Sequence, residues 1–487
     1  KNIFKEKINI NQFPKNYWKN YNKKNFSFKK FGDDRIEIIS QFLDIEKNKI
    51  YKIEHHLCHS YYAYLSSNFR NKKVLCFTVD GWGDGLNATI SSFDKFGNYK
   101  RLYKTNKCNI ARIYRHMTLL LGMKPNEHEF KVMGMAPYAK NNYIGNSLNI
   151  FRKTLGVSGI NFKWINKPKD SYFSFKKMLE GERFDNIAGG LQKWVEELLS
   201  KWVLNSIKKF KIKDIVISGG VSMNMKAMGE IAKLKKVSNI FVGGSGSDES
   251  LALSAGLILY LKKTQKKKLL KNYKPIKNLY LGSENNFLEE EKIIKKLNKS
   301  KFKIIKDPTN KFITSKLESG KIIGRCVGKM EFGHRALCNR SIIADPINID
   351  VKEKINAAIK NRDFWMPFAP VVLDKFENKY LNNKKKIASP YMTIGFDTTK
   401  TGYNAMKAAC HPADKSARPQ ILKKNDNPIF YELLKTFSET TGRGALINTS
   451  FNLHGFPIVR TAKEAYTVFI KSKLDCLLLN NFLIIKK

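Results

Sequence analysis

The sequence predicts an α/β protein, and three observations support this fold class. Short apolar segments run into glycine-rich turns at residues 81–85, 219–224 and 243–249, as strands do in nucleotide-binding α/β domains. Residues 183–210 carry apolar side chains at helical spacing, which predicts one long helix. A second α/β pattern begins near residue 279, after a lysine-rich run.

Residues 263–278 form a basic segment that we interpret as a linker, so the expected domains are residues 1–262 and 279–487. Periodicity and turn residues divide these domains into elements. The predicted helices are 34–43, a histidine-rich helix near 55–65, 114–121, 131–138 with an interruption by Gly and Pro, 183–210 and 251–260, and the predicted strands are 74–79, 88–93, 214–218, 240–242 and 321–327.

Composition indicates a folded, intracellular protein. A hydrophobic content of 42% over 487 residues is enough for more than one core. No apolar run approaches the roughly 20 residues of a membrane helix, and the first residues lack the apolar segment of a secretory signal. The seven cysteines are odd in number and include no CxxC pair, which indicates reduced thiols and a cytoplasmic location.

The net charge of +47, from 89 Lys+Arg against 42 Asp+Glu, would attract polyanions. A compositional origin is the alternative, because Lys, Asn and Ile are abundant even where no motif occurs, as in residues 295–306. The charge is spread along the chain rather than confined to one stripe. This distribution favours the compositional explanation, and no nucleic-acid partner is expected.

A candidate metal site centres on the histidine-rich helix. His55 and His59 are four residues apart and share a helix face, so that two imidazoles can reach one ion. Asp80 and Asp248 follow apolar strand segments and can add two carboxylates. This ligand set suits a divalent first-row metal such as iron, manganese or zinc. A packed polar patch is the other explanation of the histidine pair.

Candidate phosphate-binding residues fall into two groups. Gly219, Gly220 and Asn224 belong to a glycine turn whose backbone N–H groups can approach phosphates. The second half carries cationic side chains next to apolar strands, together with polar donors. The residues of this second group are Lys329, Arg335, Lys360, Arg362 and Arg418, with Ser416, Asn448, Ser450 and Asn452. For any single arginine, a surface salt bridge is the alternative.

Seven motifs in collinear order, over about residues 50–487, resemble those of the O-carbamoyltransferase family of nodulation-factor, cephamycin and aminoglycoside carbamoyltransferases. The motifs are His55-His56-x-x-His59, Val79-Asp80-Gly81, Lys131-Val132-Met133-Gly134-Met135-Ala136-Pro137-Tyr138, Ser218-Gly219-Gly220-Val221, Gly333-x-Arg335-Ala336-Leu337, Pro367-Phe368-Ala369-Pro370 and Asn448-Thr449-Ser450-Phe451-Asn452.

The resemblance implies an actin/Hsp70-like domain, akin to the threonylcarbamoyl transferases, in residues 1–262, which carries the metal. It implies a YrdC-like domain in residues 279–487 that forms carbamoyl-adenylate from carbamoyl phosphate and ATP with Mg. The carbamoyl group then passes to a hydroxyl of a sugar or natural-product acceptor. Arg335, Lys360 and Arg418 stand where the family places its catalytic cations.

Several residues depart from the family pattern. The usual opening Gly-His-Asp turn is not found, so we expect an N-terminally truncated first domain. His334 and Cys338 replace the usual Pro and Gly, and Met366 replaces an arginine, for which Lys329 or Arg362 can compensate. These departures indicate a subgroup with a different acceptor or site geometry.

The leading functional hypothesis is therefore an ATP-dependent O-carbamoyltransferase. The alternative is a nucleic-acid-binding or tRNA-modifying protein of the threonylcarbamoyl type, and a third is an inactive scaffold that keeps the fold. The expected partners are carbamoyl phosphate, ATP and a hydroxyl-bearing acceptor, without a membrane. Whether the chain forms a homodimer is left open.

Overall fold

The computed structural model describes residues 28–264, 276 and 278–487. Most of the linker predicted at 263–278, and the chain before Phe28, lie outside these residues. The chain divides into two units, with the boundary between His55 and His56. The domain boundaries expected from the sequence stay a prediction.

The α-helices show where the sequence patterns begin and end. They are α1 (Phe28–Leu43), α2 (His55–Ser66), α3 (Ile110–Leu120), α4 (Glu129–Met135), α5 (Gly145–Arg152), α6 (Phe173–Met178), α7 (Phe184–Phe210), α8 (Met225–Lys233), α9 (Glu249–Lys263), α10 (Phe287–Lys295), α11 (Asn310–Glu318), α12 (Asp350–Ile355), α13 (Glu377–Tyr380), α14 (Lys400–Ala405), α15 (Pro428–Thr441) and α16 (Ala462–Lys471). Among the described residues, none of these helices is long and apolar enough to cross a membrane.

The strands form two main sheets and a small hairpin. They are β1 (Val74–Gly83), β2 (Leu86–Phe93), β3 (Tyr99–Thr105), β4 (Leu155–Ser158), β5 (Asn161–Trp164), β6 (Asp214–Ser218), β7 (Asn239–Val242), β8 (Phe302–Lys306), β9 (Ile323–Cys326), β10 (Arg340–Ala344), β11 (Ala369–Leu373), β12 (Gln420–Leu422), β13 (Ala445–Ser450), β14 (Cys476–Leu478) and β15 (Phe482–Lys486). The mixed α/β class expected from the sequence is confirmed.

The unit before His56 is described by helix α1 and a short 3-10 turn at Lys47–Lys49. The amide of Gln41 donates to Glu37 one turn earlier, over 2.8 Å, a side-chain pairing that supports a surface helix. The predicted helix 34–43 is confirmed, and it begins six residues earlier than expected.

The first sheet of the second unit has the strand order β3-β2-β1-β6-β7. Its β1, β6 and β7 are parallel, so their carboxyl ends meet at one edge, where the turns predicted from glycine follow. Helix α7 packs against this sheet and buries Trp194 and Trp202, whose indole N–H groups donate to backbone carbonyls. The apolar side chains that recur at helical spacing over residues 183–210 therefore belong to a helix of the core.

Strand β1 differs from the expected segment 74–79. It continues to Gly83, with a register shift against β2 between Val79 and Gly83. Asp80 therefore lies inside an irregular strand rather than in a turn after its end. A bulge of this kind redirects a side chain that regular pleating would point elsewhere, and the pairing with β2 that produces it is not visible in the local sequence.

The second sheet has eight strands in the order β12-β11-β13-β10-β9-β14-β15-β8. Segments between its strands return to the first sheet. The Lys385 ammonium donates to the carbonyls of Ala232, Leu234 and Val237 at the end of α8, within 2.9 Å, and Thr393 donates to the carbonyl of Val242 over 3.0 Å. These bonds fix the loops of the two halves next to one another.

Candidate active site

His59 is the centre of a group of candidate metal ligands. Its Nε2 lies 3.8 Å from Asp80 Oδ2 and 3.5 Å from Asp248 Oδ1. Helix α2 is unbroken from His55, so helix geometry places His55 one turn before His59. One ligand atom from each of His55, His59, Asp80 and Asp248 lies within 4.8 Å of the others.

Neighbouring groups orient the His59 ring for ligation. Ser218 Oγ lies 3.3 Å from His59 Nδ1 and also donates to the carbonyl of Gly246 over 3.3 Å. When Ser218 gives its hydroxyl proton to Gly246, its oxygen can accept the Nδ1 proton of His59, and Nε2 is then available to a metal beside the two carboxylates. Burial lowers the pKa of His59, but Asp248 and Asp80 raise it overall. The donor set therefore fits a divalent metal.

The glycine turn after β6 holds Asp80 in place. Gly220 N donates to Asp80 Oδ1 over 2.9 Å. Gly219 has φ +93°, and a Cβ at this position would lie 2.2 Å from the carbonyl oxygen of Val79. Only glycine allows this approach, so the predicted Gly219 acts here by fitting against β1.

Asn224 ends the same turn and caps helix α8. Its Oδ1 accepts from Ala227 N over 3.1 Å, and its side-chain amide exchanges two 3.0 Å hydrogen bonds with Gln192 of α7. The cap satisfies a backbone donor at the helix start. Asn224 nevertheless lines the cavity described next, as does Gly220.

A cavity of about 990 Å³ joins the two halves of the second unit. Asp80 and Asp248 line it on the side of the first sheet, and His334 and Arg335 line it from the second half. The candidate metal group and one of the predicted catalytic cations thus share one cavity, although they are far apart in sequence.

Four predicted cations, of which Arg335 is the first in the sequence, lie close to one another. Burial lowers the pKa of Arg335 to about 10, and burial together with Arg335 lowers the pKa of Arg362 to about 10. Burial, then Arg335 and Arg362, holds the pKa of Arg418 well below its usual value, and burial with Arg362 does the same for Lys360. Their proximity makes this a buried centre of positive charge.

Polar groups of β13 and the loop after it contact this cation cluster, which we define as Arg335, Lys360, Arg362 and Arg418. The Lys360 ammonium donates to Ser450 Oγ over 3.0 Å and to Asn452 Oδ1 over 2.6 Å. Lys360 ends a π-helical turn, Asn356–Lys360, a local form that is frequent at functional sites. The structure therefore brings Ser450 and Asn452 to the cation cluster.

Three other predicted residues have different surroundings. Lys329 is exposed, and within the described chain its side chain has no hydrogen bond or ion pair with the cluster. Ser416 Oγ donates to Asp414 Oδ1 over 2.7 Å. Asn448 Nδ2 donates to the carbonyl of Ala336 over 3.1 Å and so braces the loop that carries Arg335.

Sequence reasoning missed two residues that shape the site. Thr449 Oγ1 accepts from Arg362 over 3.1 Å. Glu331, buried, accepts the backbone N–H groups of Leu337, Asn339 and Arg340 within 3.1 Å, which closes the loop around Arg335. Thr449 lies inside a motif already quoted, so its position was available. Glu331 accepts hydrogen bonds from backbone N–H groups, and such a glutamate belongs to no sequence motif that would identify it.

The site thus combines a His/Asp group and a buried cation cluster within one α/β protein. Two family descriptions match the chain: Carbamoyltransferase N-terminus over residues 3–257 and Carbamoyltransferase C-terminus over residues 314–486. The chain belongs to the carbamoyltransferase family of enzymes, which confirms the resemblance found in the sequence.

Relatives agree with this assignment. An uncharacterized protein of Methanocaldococcus jannaschii is 31% identical over 96% of this chain and 80% of that protein. Nodulation protein NolNO of Sinorhizobium fredii is 27% identical over 91% of this chain and 65% of that protein. The 3'-hydroxymethylcephem-O-carbamoyltransferase of Amycolatopsis lactamdurans is 33% identical over 29% of this chain and 26% of that enzyme.

Similarity to solved structures is low. HypF of T. kodakarensis is 14% identical, with a TM-score of 0.25 over 47% of this chain and 38% of that chain. A score of this size carries no argument about the fold, so the actin/Hsp70-like and YrdC-like descriptions remain predictions.

Proposed function

We propose that the chain is an ATP-dependent O-carbamoyltransferase that forms carbamoyl-adenylate and transfers its carbamoyl group to an acceptor hydroxyl. In the first step, water cleaves carbamoyl phosphate to carbamate and phosphate. A carbamate oxygen then attacks the α-phosphorus of ATP, and pyrophosphate is released. The acceptor oxygen next attacks the carbamoyl carbon, AMP leaves, and the hydroxyl proton is lost to a base.

The cation cluster is the observation that carries this proposal. Within the described chain, none of Arg335, Lys360, Arg362 and Arg418 forms an ion pair with a carboxylate. Buried cations without a carboxylate partner are costly, so the cluster and the neighbouring polar groups suit a phosphorylated ligand. Two phosphorylated reactants repel one another, and a cluster of cations offsets that repulsion.

The proposed metal would be held by His55, His59, Asp80 and Asp248. When bound, it would supply a Lewis acid for a phosphate or carbamoyl oxygen, with iron favoured over manganese or zinc. Ser218 keeps the His59 ring in the ligating orientation, and Gly220 N holds the second oxygen of Asp80. In this proposal the first half is the transfer domain and residues 279–487 form the adenylate.

Pyrophosphate exchange into ATP, dependent on carbamoyl phosphate and without acceptor, tests the proposal. We expect the wild type to catalyse exchange and Arg418→Gln to lose roughly a hundredfold, as expected when a charged contact to a developing charge is removed. Arg152→Gln is the matched control, because this guanidinium pairs with Glu197 on the surface. Wild-type protein without exchange would refute the adenylation route.

The alternative, a tRNA-modifying protein, is motivated by the net charge of +47. It predicts RNA binding of about 10⁻⁸ M or tighter that discriminates between sequences at physiological salt. A purely compositional charge predicts non-specific binding of about 10⁻⁴ M or weaker. Titration of RNA at two salt concentrations separates these outcomes.

A further inference from the structure

The exposed end of the cavity carries an aromatic and cationic surface that the adenylation chemistry does not use. Trp82 is 39% exposed and Phe130 is 42% exposed, and both line the cavity with Arg112 and Arg115 of α3. The Arg112 guanidinium carbon lies 4.9 Å from the centroid of the Trp82 ring, which is within cation–π distance.

The contact with the Trp82 ring orients the Arg112 guanidinium at the exposed end of the cavity. Arg112 and Arg115 are three residues apart and share a face of α3. Neither forms an ion pair with a carboxylate in the part of the chain that the structure describes. A planar guanidinium of this kind recognises carboxylate or phosphate through paired donors.

Acidic residues at this end are already engaged with other groups. Glu127 pairs with Lys124, and Glu129 Oε1 accepts the backbone N–H of Asn126 over 2.6 Å. Asp80 and Asp248, further along the cavity, belong to the candidate metal group. Among the described residues that line this end, the two arginines are therefore the cations without a carboxylate partner.

We propose that this surface, Trp82, Arg112, Arg115 and Phe130, binds the acceptor, and that the acceptor is a saccharide bearing a phosphate or carboxylate. This rests on the proposed function for its place in the reaction. The exposed rings offer apolar surface to a sugar ring, and the guanidinium groups bind its anionic substituent. The acceptor hydroxyl then enters the cavity whose far side carries Arg335.

Binding of three probes to the full chain tests the charge requirement. Glucose, glucose 6-phosphate and glucuronate are titrated calorimetrically, with pyrophosphate present so that the cation cluster is filled. We expect at least one anionic sugar to bind roughly tenfold or more tightly than glucose. Preference for glucose 6-phosphate alone identifies phosphate, and preference for glucuronate identifies carboxylate. Equal binding of all three, or no binding, overturns the inference.

Variants then test the location. The double variant Arg112→Gln/Arg115→Gln should bind the preferred anionic sugar roughly tenfold or more weakly than the wild type. Arg183→Gln is the control, because Arg183 is an exposed arginine bonded to Asp185. Undiminished binding in the double variant overturns the inference. So does loss of acceptor-free pyrophosphate exchange in that variant, because the pair would then serve the nucleotide.

The two proposals fail separately. Wild-type protein that shows no pyrophosphate exchange refutes the adenylation route, whereas the charge-dependent sugar binding and its loss in the double variant do not depend on that reaction. For carbamoyl transfer, the double variant should raise the acceptor KM more than it lowers kcat, since a binding contact and not the reacting atoms is removed.

Discussion

His334 Nε2 lies 3.1 Å from Glu249 Oε1. Glu249 begins α9 directly after Asp248, and His334 directly precedes Arg335. The contact thus links the loop of a candidate metal ligand to the loop of a candidate phosphate ligand. His334 stands where proline is usual in the family pattern, so this link is a property of the present chain.

Removal of this link should affect transfer more than stability. Both side chains are partly exposed, so His334→Ala should cost no more than about 1 kcal/mol of unfolding free energy. We expect a several-fold slower carbamoyl transfer from a less fixed loop, with His334→Gln, which keeps a donor, closer to wild type. Equal transfer rates in all three proteins would show that the contact does not position the loops.

Anions should stabilise the protein through the cation cluster. A ligand present at a hundred times its Kd adds about 2.7 kcal/mol to the free energy of unfolding. Pyrophosphate should therefore raise the Tm of the wild type. Arg418→Met should abolish this rise and leave the ligand-free Tm equal or higher, because a like charge leaves a buried cluster. A rise that persists in the variant would place the anion elsewhere.

Pyrophosphate binding should weaken at high pH because of Lys360. Burial, with Arg362, holds the pKa of Lys360 well below its usual value. The charged form binds the anion, so affinity falls as pH rises through that lowered pKa. Without ligand, the free energy of unfolding should rise with pH between that lowered pKa and about 10.4. In this window Lys360 holds more protons in the unfolded chain than in the folded one. Lys360→Met should flatten both profiles, measured as Tm against pH.

Metal content should depend on His59 and Asp80. His59→Ala should lower metal affinity by more than the roughly 10–100-fold typical of a residue behind the ligands, and Ser218→Ala should fall within that range. Asp80→Asn keeps an acceptor for Gly220 N but loses the charge. His116→Gln is the control, since that ring bonds Ser171. Elemental analysis that finds full metal in His59→Ala would remove His59 from the ligands.

Two glycine-to-alanine changes in helices should have opposite signs. A Cβ at Gly190 of α7 would lie 2.8 Å from both Leu148 N and Ser147 Cβ, so Gly190→Ala should cost about 1–3 kcal/mol. A Cβ at Gly256, exposed on α9, meets nothing within 4 Å, so Gly256→Ala should gain about 0.8–1 kcal/mol. Denaturant unfolding of both variants measures the difference, and destabilisation of similar size would contradict the packing of α7 on α5.

Strong local patterns were sufficient for much of the fold. The helix predicted at 183–210 is α7, Phe184–Phe210, and the strand predicted at 214–218 is β6. Both depend on apolar spacing that tertiary contacts reinforce. Helix α3 begins at Ile110 rather than 114, and the helix expected at 131–138 becomes α4 followed by a 3-10 turn at Ala136–Tyr138. The change comes at Pro137, which has no N–H to donate.

The sequence was sufficient to select candidate site residues by their chemical type, but it did not predict how these residues are arranged in space. Nothing local shows that Arg335, Arg362 and Arg418 converge, because strand order and the π-helical turn at Asn356–Lys360 decide it. Cys338 takes φ +86° in the loop held by Glu331, a conformation that the usual glycine would adopt without strain. Such features depend on the whole fold.

The close fit of Gly219 against Val79 has a consequence for genetics. Every missense change of a glycine codon introduces a Cβ, and here that atom would meet a backbone oxygen at 2.2 Å rather than a side chain that could move aside. In a deep mutational scan, codon 219 should therefore tolerate as few substitutions as a metal ligand. This intolerance would reflect the close packing of two backbone segments, and position 219 would be restricted without any chemical role in catalysis.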